Sequence, residues 1–161
     1  MKKLKIYLDT SIISHLYAKD APERMSDTLE LWRQIKDGIY DVLISNITFE
    51  EISHCNEPKR SIMADFISQI EFSNEDETRE SLELVDNYLK FGVLNSKSRD
   101  DLRHISLATV CKCDIIASWN FKHFVNIKVI NKVQAVNKYE GYSEIQIFPP
   151  NMIIGGDENE N

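Results

Sequence analysis

The sequence predicts an α/β domain of three layers (α/β/α) around a small, mostly parallel β-sheet, and three observations favour this fold class. Short apolar runs alternate with helical patterns along the chain, as in successive β–α–β units. Two runs, residues 42–44 and 115–117, are wholly apolar, which is typical of strands buried on both faces. The length of 161 residues fits about one domain. We therefore predict a single domain over residues 1–150 and a short acidic tail over residues 151–161.

The predicted strands are short and end at turn residues. The first alternates in hydropathy and stops at Asp9, where hydroxyl residues begin, and the last stops at Pro149 and Pro150. The run at 70–72 is a weaker candidate for a further strand. The predicted strands cover residues 4–8, 42–44, 70–72, 115–117 and 145–148.

Helical patterns fill the intervals between these strands. Pro22 and Glu23 mark the start of one helix, and Gly92 lies just beyond the end of another. Residues recurring at helical spacing are expected to face the core. These stripes are Leu29, Trp32, Lys36 and Ile39; Ile62, Met63, Phe66, Ile67 and Ile70; Leu82, Val85 and Leu89; and Ile105, Ala108 and Thr109.

The net charge of −7 argues against a mainly basic nucleic-acid clamp. Two stretches, residues 87–99 and 120–138, nevertheless carry lysine or arginine and no acid. Their charge alone favours ordinary solvated helix faces, and the alternative is a groove that follows a phosphate backbone. The odd number of cysteines, 3, and the lack of a long apolar segment favour a reducing, cytoplasmic location and no membrane contact.

Asp9 is the most informative residue, because it directly follows an apolar strand. In open α/β sheets, ligands bind at the carboxyl ends of the strands. A carboxylate buried there must be hydrogen-bonded or bind a cation. The alternative, that Asp9 only caps the next helix, is about equally favoured by its position.

Glu51 and Asp101 lie near other strand ends or helix starts, and both have an alternative explanation. Thr48 and Glu51, like Ser98 and Asp101, have the spacing of a capping box. His104 lies one turn beyond Asp101 on the same helix face, and we interpret it as structural. If the three carboxylates converge, they would repel one another unless a cation lay between them. Oxygen ligands of this kind suit Mg²⁺ or Mn²⁺.

At these positions the sequence resembles PIN-domain ribonucleases, and especially the VapC-type toxins. The resemblance runs in order over residues 4 to 150, and the block Ser-Trp-Asn-Phe-Lys-His at 118–123 is similar to one PIN subgroup. Any single segment is weak evidence, but the ordered series is specific. The matching segments are residues 7–11, 45–52, Tyr88, Gly92, Leu94, 101–108, 118–124, 130–131, 136–137, 141–142 and 145–149.

The resemblance implies a Rossmann-like PIN fold and an acidic pocket that binds one or two Mg²⁺ or Mn²⁺ ions. Asp9, Glu51 and Asp101 match the first three acidic positions of the family, while Glu50 and Asp100 compete for two of them. We prefer Glu51 because the family's acid directly precedes an aliphatic residue. We prefer Asp101 because an alanine follows it seven residues later, as in the family pattern.

At the fourth acidic position of many PIN domains, this sequence departs from the family pattern. Asn120 occupies one candidate place and His123 the other. Asn120 is expected to orient a water or a metal ligand, and its alternative is a loop residue that bonds its own backbone. Thr10 and Ser118 are expected to support the acids through hydrogen bonds. Candidates for contact with the RNA backbone are Lys97, Arg103, Lys122 and His123.

By this resemblance, the expected function is metal-dependent hydrolysis of RNA by an endoribonuclease, as the toxin of a type II toxin–antitoxin pair. The expected partners are the RNA substrate, a cognate antitoxin and a second copy in a homodimer. The departure at Asn120 motivates a different expectation, a PIN-fold protein-interaction module with weak or no catalysis. A metal phosphatase acting on small nucleotides is a third possibility, since the same site chemistry would serve it.

Overall fold

The computed structural model describes residues 2–155. The strands are β1 (Leu4–Leu8), β2 (Tyr40–Ser45), β3 (Ser73–Glu75), β4 (Ile115–Ala117) and β5 (Gln146–Phe148). The helices are α1 (Thr10–His15), α2 (Pro22–Lys36), α3 (Asn46–Ser53), α4 (Lys59–Ile67), α5 (Arg79–Lys90), α6 (Arg99–Val110), α7 (Ile127–Tyr139) and α8 (Pro150–Ile153). A short 3₁₀ turn, Ser96–Ser98, leads into α6.

The five strands form one sheet in the order β3-β2-β1-β4-β5, and every neighbouring pair is parallel. Ile6, at the centre of β1, pairs with Val42 on one side and Ile115 on the other. The chain leaves β1 toward β2 and later returns to β4 on the opposite side of β1. The carboxyl ends of β1 and β4 therefore border the point where the strand order reverses, which is where open α/β sheets bind ligands.

Two apolar clusters cover the two faces of the sheet, which gives the three predicted layers. One cluster joins Tyr7 and Ile116 of the sheet to the buried faces of α5, α6 and α7. The other joins Ile6 and Ile44 to α1, α2, α3 and α4. Since side chains alternate along a strand, adjacent residues such as Ile6 and Tyr7 serve opposite clusters.

The predicted core stripe of α2 is wrong by about one residue. Leu29 is exposed, and Ile39 lies beyond the helix, which ends at Lys36 and is followed by Gly38 at a φ of 80°. The buried face instead carries Thr28, Leu31, Trp32, Gln34 and Ile35. Two of these residues are polar. A prediction from the spacing of apolar residues alone therefore places the buried face of α2 at the wrong angle around the helix.

The weaker strand at residues 70–72 is displaced. Pairing with β2 begins only at Ser73, where β3 starts, and all of β3 is exposed. Ile70 and Phe72 instead pack against the cluster that covers α2. The short, polar β3 is the edge strand of the sheet, where a long apolar strand would be an aggregation hazard.

The C-terminal segment begins with α8, and Gln34 of α2 donates a hydrogen bond to the Ile154 carbonyl at 3.5 Å. The acids of the predicted tail lie outside the described residues. None of the helices within residues 2–155 is long and apolar enough to cross a membrane.

Candidate active site

Asp9 lies at the carboxyl end of β1, beside the strand-order reversal. Its backbone is extended, and its Oδ1 accepts a hydrogen bond from the Ile12 amide at 3.2 Å, so it is the N-cap of α1. Two hydroxyls also donate to this carboxylate, Ser11 to Oδ1 at 2.6 Å and Ser118 to Oδ2 at 2.5 Å. The capping role and a site role are therefore compatible, since Asp9 has more partners than a cap requires.

Burial determines the electrostatics of Asp9, which is only 4% exposed. Desolvation raises the pKa of Asp9 above its ordinary value, although the nearby His104 and the two serine hydroxyls oppose the shift. All three hydrogen-bond donors are neutral groups. A buried carboxylate without a directly bonded cation is a group that a bound metal ion would stabilise.

Glu51, on α3, forms a second acidic centre next to the first. Its Oε1 accepts a hydrogen bond from the Thr10 hydroxyl at 2.8 Å and lies 2.5 Å from His104 Nε2. Burial tends to raise the pKa of Glu51, but the contacts with His104 and Thr10 outweigh it and hold the pKa below its ordinary value. The capping box of Thr48 and Glu51 does not form, because Ser45 caps α3 and accepts from the Thr48 amide.

A chain of buried hydrogen bonds holds His104 in place. The Tyr7 hydroxyl lies 2.5 Å from His104 Nδ1 and 2.7 Å from Ser45 Oγ. An ionised Glu51 can only accept, so Nε2 of a neutral His104 donates to it and Nδ1 accepts from Tyr7. Tyr7 then accepts from Ser45. The imidazole is fixed at both nitrogens and orients Glu51 toward the site.

Asp101, in the first turn of α6, forms a third centre with His123. Asp101 Oδ2 lies 2.7 Å from His123 Nδ1, and both side chains are about one-quarter exposed. The Ser98 side chain makes no capping hydrogen bond, so the capping box predicted for Ser98 and Asp101 does not form. The Asp101 carboxylate thus does not cap α6, and it lies at the start of the helix bonded to His123.

Asn120 connects these centres through the loop that follows β4. Its amide N–H donates to Ser118 Oγ at 3.0 Å, and its Oδ1 accepts from the backbone amides of Lys122 and His123 at 3.1 and 2.9 Å. The side-chain oxygen of Asn120 therefore accepts from backbone amides of its own loop, which is the alternative role predicted for this residue. Through Ser118 the same residue is joined to Asp9, and through the His123 backbone it is joined to the partner of Asp101.

The predicted site residues thus fall into two hydrogen-bonded groups. One runs from Asp9 through Ser118 and Asn120 to His123 and Asp101. The other joins Thr10, Glu51 and His104, and the two groups meet where Thr10 follows Asp9 in the chain. No three His, Cys, Asp or Glu side chains within residues 2–155 are grouped so that they could hold a metal ion as they stand. Carboxylate oxygens, including those of the buried Asp9, are ligands that suit Mg²⁺ or Mn²⁺. Asp9, Glu51 and Asp101 are the carboxylates whose oxygens could hold such an ion.

The four candidates for RNA backbone contact have different surroundings. Lys97 and Lys122 are exposed, and His123 is paired with Asp101. Arg103 is mostly buried and donates to Glu77, to Glu50 at 3.2 Å and to Asp100 at 3.1 Å. These carboxylates raise the pKa of Arg103 further above its ordinary value, and Glu77 has the largest effect. A guanidinium held by three acids is poorly placed to bind phosphate, and contact between Arg103 and RNA stays a prediction.

The structure also brings to the candidate site side chains that the sequence did not assign to it. His104, interpreted as structural, bonds directly to Glu51, and Tyr7, Ser11 and Ser45 complete the surrounding hydrogen bonds. The available signal was the position of Tyr7 and Ser11 within two residues of Asp9. For His104 the signal was its place one turn after Asp101.

Two solved structures have the same fold. VapBC2 from Rickettsia felis, bound to a DNA fragment from its promoter, aligns with a TM-score of 0.56 and 17% identity, covering 91% of this chain and 98% of that chain. VapC20 from Mycobacterium tuberculosis, a sarcin–ricin loop cleaving toxin, aligns with a TM-score of 0.53 and 16% identity, covering 87% and 98%. These likenesses confirm the predicted PIN-like α/β fold. No family model and no curated protein sequence matches the chain.

Proposed function

We propose that this protein is a metal-dependent endoribonuclease that hydrolyses RNA phosphodiester bonds. The observation that carries the proposal is the hydrogen-bonded linkage of Asp9, Asn120 and Asp101 at the carboxyl edge of a parallel sheet, with Glu51 bonded to Thr10 beside Asp9. Its position at the strand-order reversal is where this class of sheet binds ligands. The fold shared with VapC-type structures supports the same assignment.

In this proposal Asp9, Glu51 and Asp101 hold Mg²⁺ or Mn²⁺. The ion would supply polarisation of the scissile phosphate and a more acidic water for in-line attack. The chain's own residues position these acids: Ser11 and Ser118 orient Asp9, and His104 orients Glu51. Such supporting contacts typically change metal affinity or activity by about 10- to 100-fold when they are removed.

We further propose that the enzyme is the toxin of a type II toxin–antitoxin pair and acts as a homodimer. The support for the toxin–antitoxin role is the fold shared with VapBC2 and with the toxin VapC20, while the homodimer follows from the family resemblance alone. Fold likeness alone does not fix function, so the pairing with an antitoxin is tested separately, by co-expression with the protein encoded next to this chain. Rescue of growth and co-purification are the expected results.

The decisive experiment is cleavage of a mixed single-stranded RNA pool in Mn²⁺ and in EDTA. We expect the wild-type protein to cleave only in Mn²⁺ and Asp9→Asn to lose about 100-fold or more of that activity. Asp65→Asn, an exposed acid on α4, is the matched control and should cleave like the wild type. Equal cleavage by wild type and Asp9→Asn, or full activity in EDTA, would contradict the mechanism.

A second candidate is a protein-interaction module with little catalysis. One observation favours it: Asn120 stands where many PIN domains have an acid, and its side-chain oxygen bonds the backbone of its own loop. Thermal stability with Mn²⁺ separates the candidates, because a ligand that binds the native state raises the melting temperature. No Mn²⁺ shift together with no cleavage would favour the interaction module.

A further inference from the structure

An exposed cluster of aromatic rings and one arginine borders the candidate active site. Phe121 is 45% exposed, and its ring centroid lies 6.1 Å from that of the buried Trp119. The guanidinium carbon of Arg24, from the first turns of α2, lies 5.1 Å from the Phe121 ring centroid and 5.4 Å from the Trp119 ring centroid. We call Arg24, Trp119 and Phe121 the rim cluster.

Hydrogen bonds join the buried side of the rim cluster to α2. Trp119 Nε1 donates to Thr28 Oγ1 at 2.8 Å, and the Thr28 hydroxyl donates to the Arg24 carbonyl at 2.5 Å. One buried threonine thereby joins the loop after β4 to the turn of α2 that carries Arg24. Phe121 remains open to solvent, and its ring is tilted by 51° from that of Trp119.

Arg24 is a free positive charge in an acidic protein. Within the described residues its guanidinium contacts the two rings, and no carboxylate forms an ion pair with it, not even the adjacent Glu23. Arg103, by contrast, is held by three acids. The charge of Arg24 is thus available to an anionic ligand, while its guanidinium plane stays packed on aromatic carbon.

The rim cluster is connected to the acids by two hydrogen bonds. Ser11 Oγ accepts from the Trp119 amide at 2.9 Å and donates to Asp9 Oδ1 at 2.6 Å. Asn120 lies between Trp119 and Phe121 in the same loop. A ligand resting on Phe121 therefore lies beside the site where the scissile phosphate is proposed to bind.

We infer that the rim cluster binds an unpaired base of a single-stranded RNA next to the scissile phosphate, with the base stacked on Phe121 and a flanking phosphate paired with Arg24. This inference rests on the proposed function and specifies its substrate: the RNA must have an unstacked base at that position. Exposed aromatic rings that stack bases, combined with arginine, are the means by which proteins hold single strands. A paired duplex base has no free face for Phe121.

Binding tests this inference separately from cleavage. The protein is Asp9→Asn in Mg²⁺, with wild type in EDTA as a second background that does not depend on that substitution. The probes are a labelled single-stranded RNA, an abasic oligonucleotide of the same length and charge, and the RNA paired with its complement. We expect the single strand to bind at least about 5-fold more tightly than the other two, because one stacked base contributes a factor of about 5 to 100.

Substitutions in the rim cluster then localise the effect. Phe121→Ala should weaken binding of the single strand about 5- to 100-fold and leave binding of the abasic probe unchanged. Arg24→Lys, which keeps the charge but not the planar stack, should weaken it less than Arg24→Ala. Leu29→Ala, another exposed apolar side chain on α2, is the matched control and should bind like the parent protein.

Trp119 fluorescence gives a readout at the rim cluster itself. In a Trp32→Phe background Trp119 is the remaining tryptophan, and RNA binding should change its emission only when Phe121 is present. In the cleaving enzyme, Phe121→Ala should raise KM and leave kcat unchanged.

Three results would overturn the inference. Equal binding of abasic and normal RNA would show that bases are not stacked there. Unchanged Kd and KM in Phe121→Ala, in an enzyme that still cleaves, would leave the proposed function standing and remove the rim cluster from it. If base-dependent binding to Phe121 persists in a protein that cleaves nothing, the inference stands and the nuclease proposal falls. Binding of an acidic peptide instead of RNA would also overturn it.

Discussion

Tyr7 shows how one buried hydroxyl joins the core of the protein to its candidate site. The residue is fully buried near the carboxyl end of β1, and its hydroxyl bridges Ser45 and His104. Burial raises the pKa of Tyr7 well above its ordinary value, so the hydroxyl stays protonated and can donate to His104. It thereby fixes the ring that orients Glu51.

Tyr7→Phe should lower the free energy of unfolding by about 1–3 kcal/mol, because it leaves the His104 nitrogen and the Ser45 hydroxyl buried without that partner. Urea denaturation measures the effect. Tyr17→Phe is the matched control, since Tyr17 is partly exposed and its hydroxyl makes no hydrogen bond within residues 2–155. Equal stability of the two variants would show that the bridge contributes nothing.

At the residue scale the sequence predicts the acids better than their partners. Asp9 is predictable because it directly follows a strand, and strand ends are visible in the sequence. The partner of Glu51 is not, because His104 lies 53 residues away and meets it only through the docking of α3 against α6. Local spacing favoured capping boxes, and the true N-cap of α3, Ser45, lies three residues before Thr48.

At the element scale, α5, α6 and α7 meet around a single side chain. Tyr88 of α5 is fully buried, and its hydroxyl donates to Asn137 Oδ1 of α7 at 2.5 Å and lies 3.4 Å from Thr109 Oγ1 of α6. Asn137 Nδ2 in turn donates to Thr109 at 3.3 Å. This polar centre sets the relative position of three helices within an otherwise apolar layer.

Tyr88→Phe should destabilise the protein by about 1–3 kcal/mol, because Asn137 Oδ1 is left buried and unsatisfied. The measurement is the shift of the urea midpoint at unchanged slope. Tyr139→Phe on α7, which is 80% exposed, should have no measurable effect. A Tyr88→Phe midpoint equal to that of wild type would mean that the helices are positioned by apolar contacts alone.

Elements with apolar cores were predictable, and elements defined by polar contacts were not. The runs in β1, β2 and β4 are buried on both faces, so their composition identifies them. β3 is polar and exposed, so it carries no such signal. On α2 the buried Thr28 is held by Trp119, a partner 91 residues away, which no apolar stripe can indicate.

For the whole molecule, acidic charge is concentrated where three segments meet. Glu77 precedes α5, Glu50 lies on α3 and Asp100 on α6, and Arg103 bonds all three. Glu77 also exchanges two hydrogen bonds with Asn46, its amide donating to Oδ1 at 2.9 Å and its Oε1 accepting from Nδ2 at 3.3 Å. In a chain with a net charge of −7, this one guanidinium allows the three acidic segments to pack together.

Stability should therefore depend on pH through Glu77. The hydrogen bond from Arg103, more than the opposing effect of burial, holds the pKa of Glu77 below its ordinary value, and the hydrogen bond from Asn46 assists. A carboxyl whose pKa is lower in the folded state stabilises the protein above its unfolded pKa, and this contribution is lost as pH falls through the folded pKa. Glu77→Gln should thus cost about 1–3 kcal/mol at pH 7 and progressively less as the pH falls below 4.

Urea denaturation of wild type and Glu77→Gln between pH 7 and pH 3 measures this difference. The matched control is Glu83→Gln, whose ion pair with Arg79 is largely exposed and should contribute nothing measurable at any pH. A constant difference between wild type and Glu77→Gln across this range would mean that the side chain acts by packing and not by charge. If the difference in the free energy of unfolding shrinks as the pH falls, the ion pair between Glu77, before α5, and Arg103, on α6, makes the stability of the protein depend on pH.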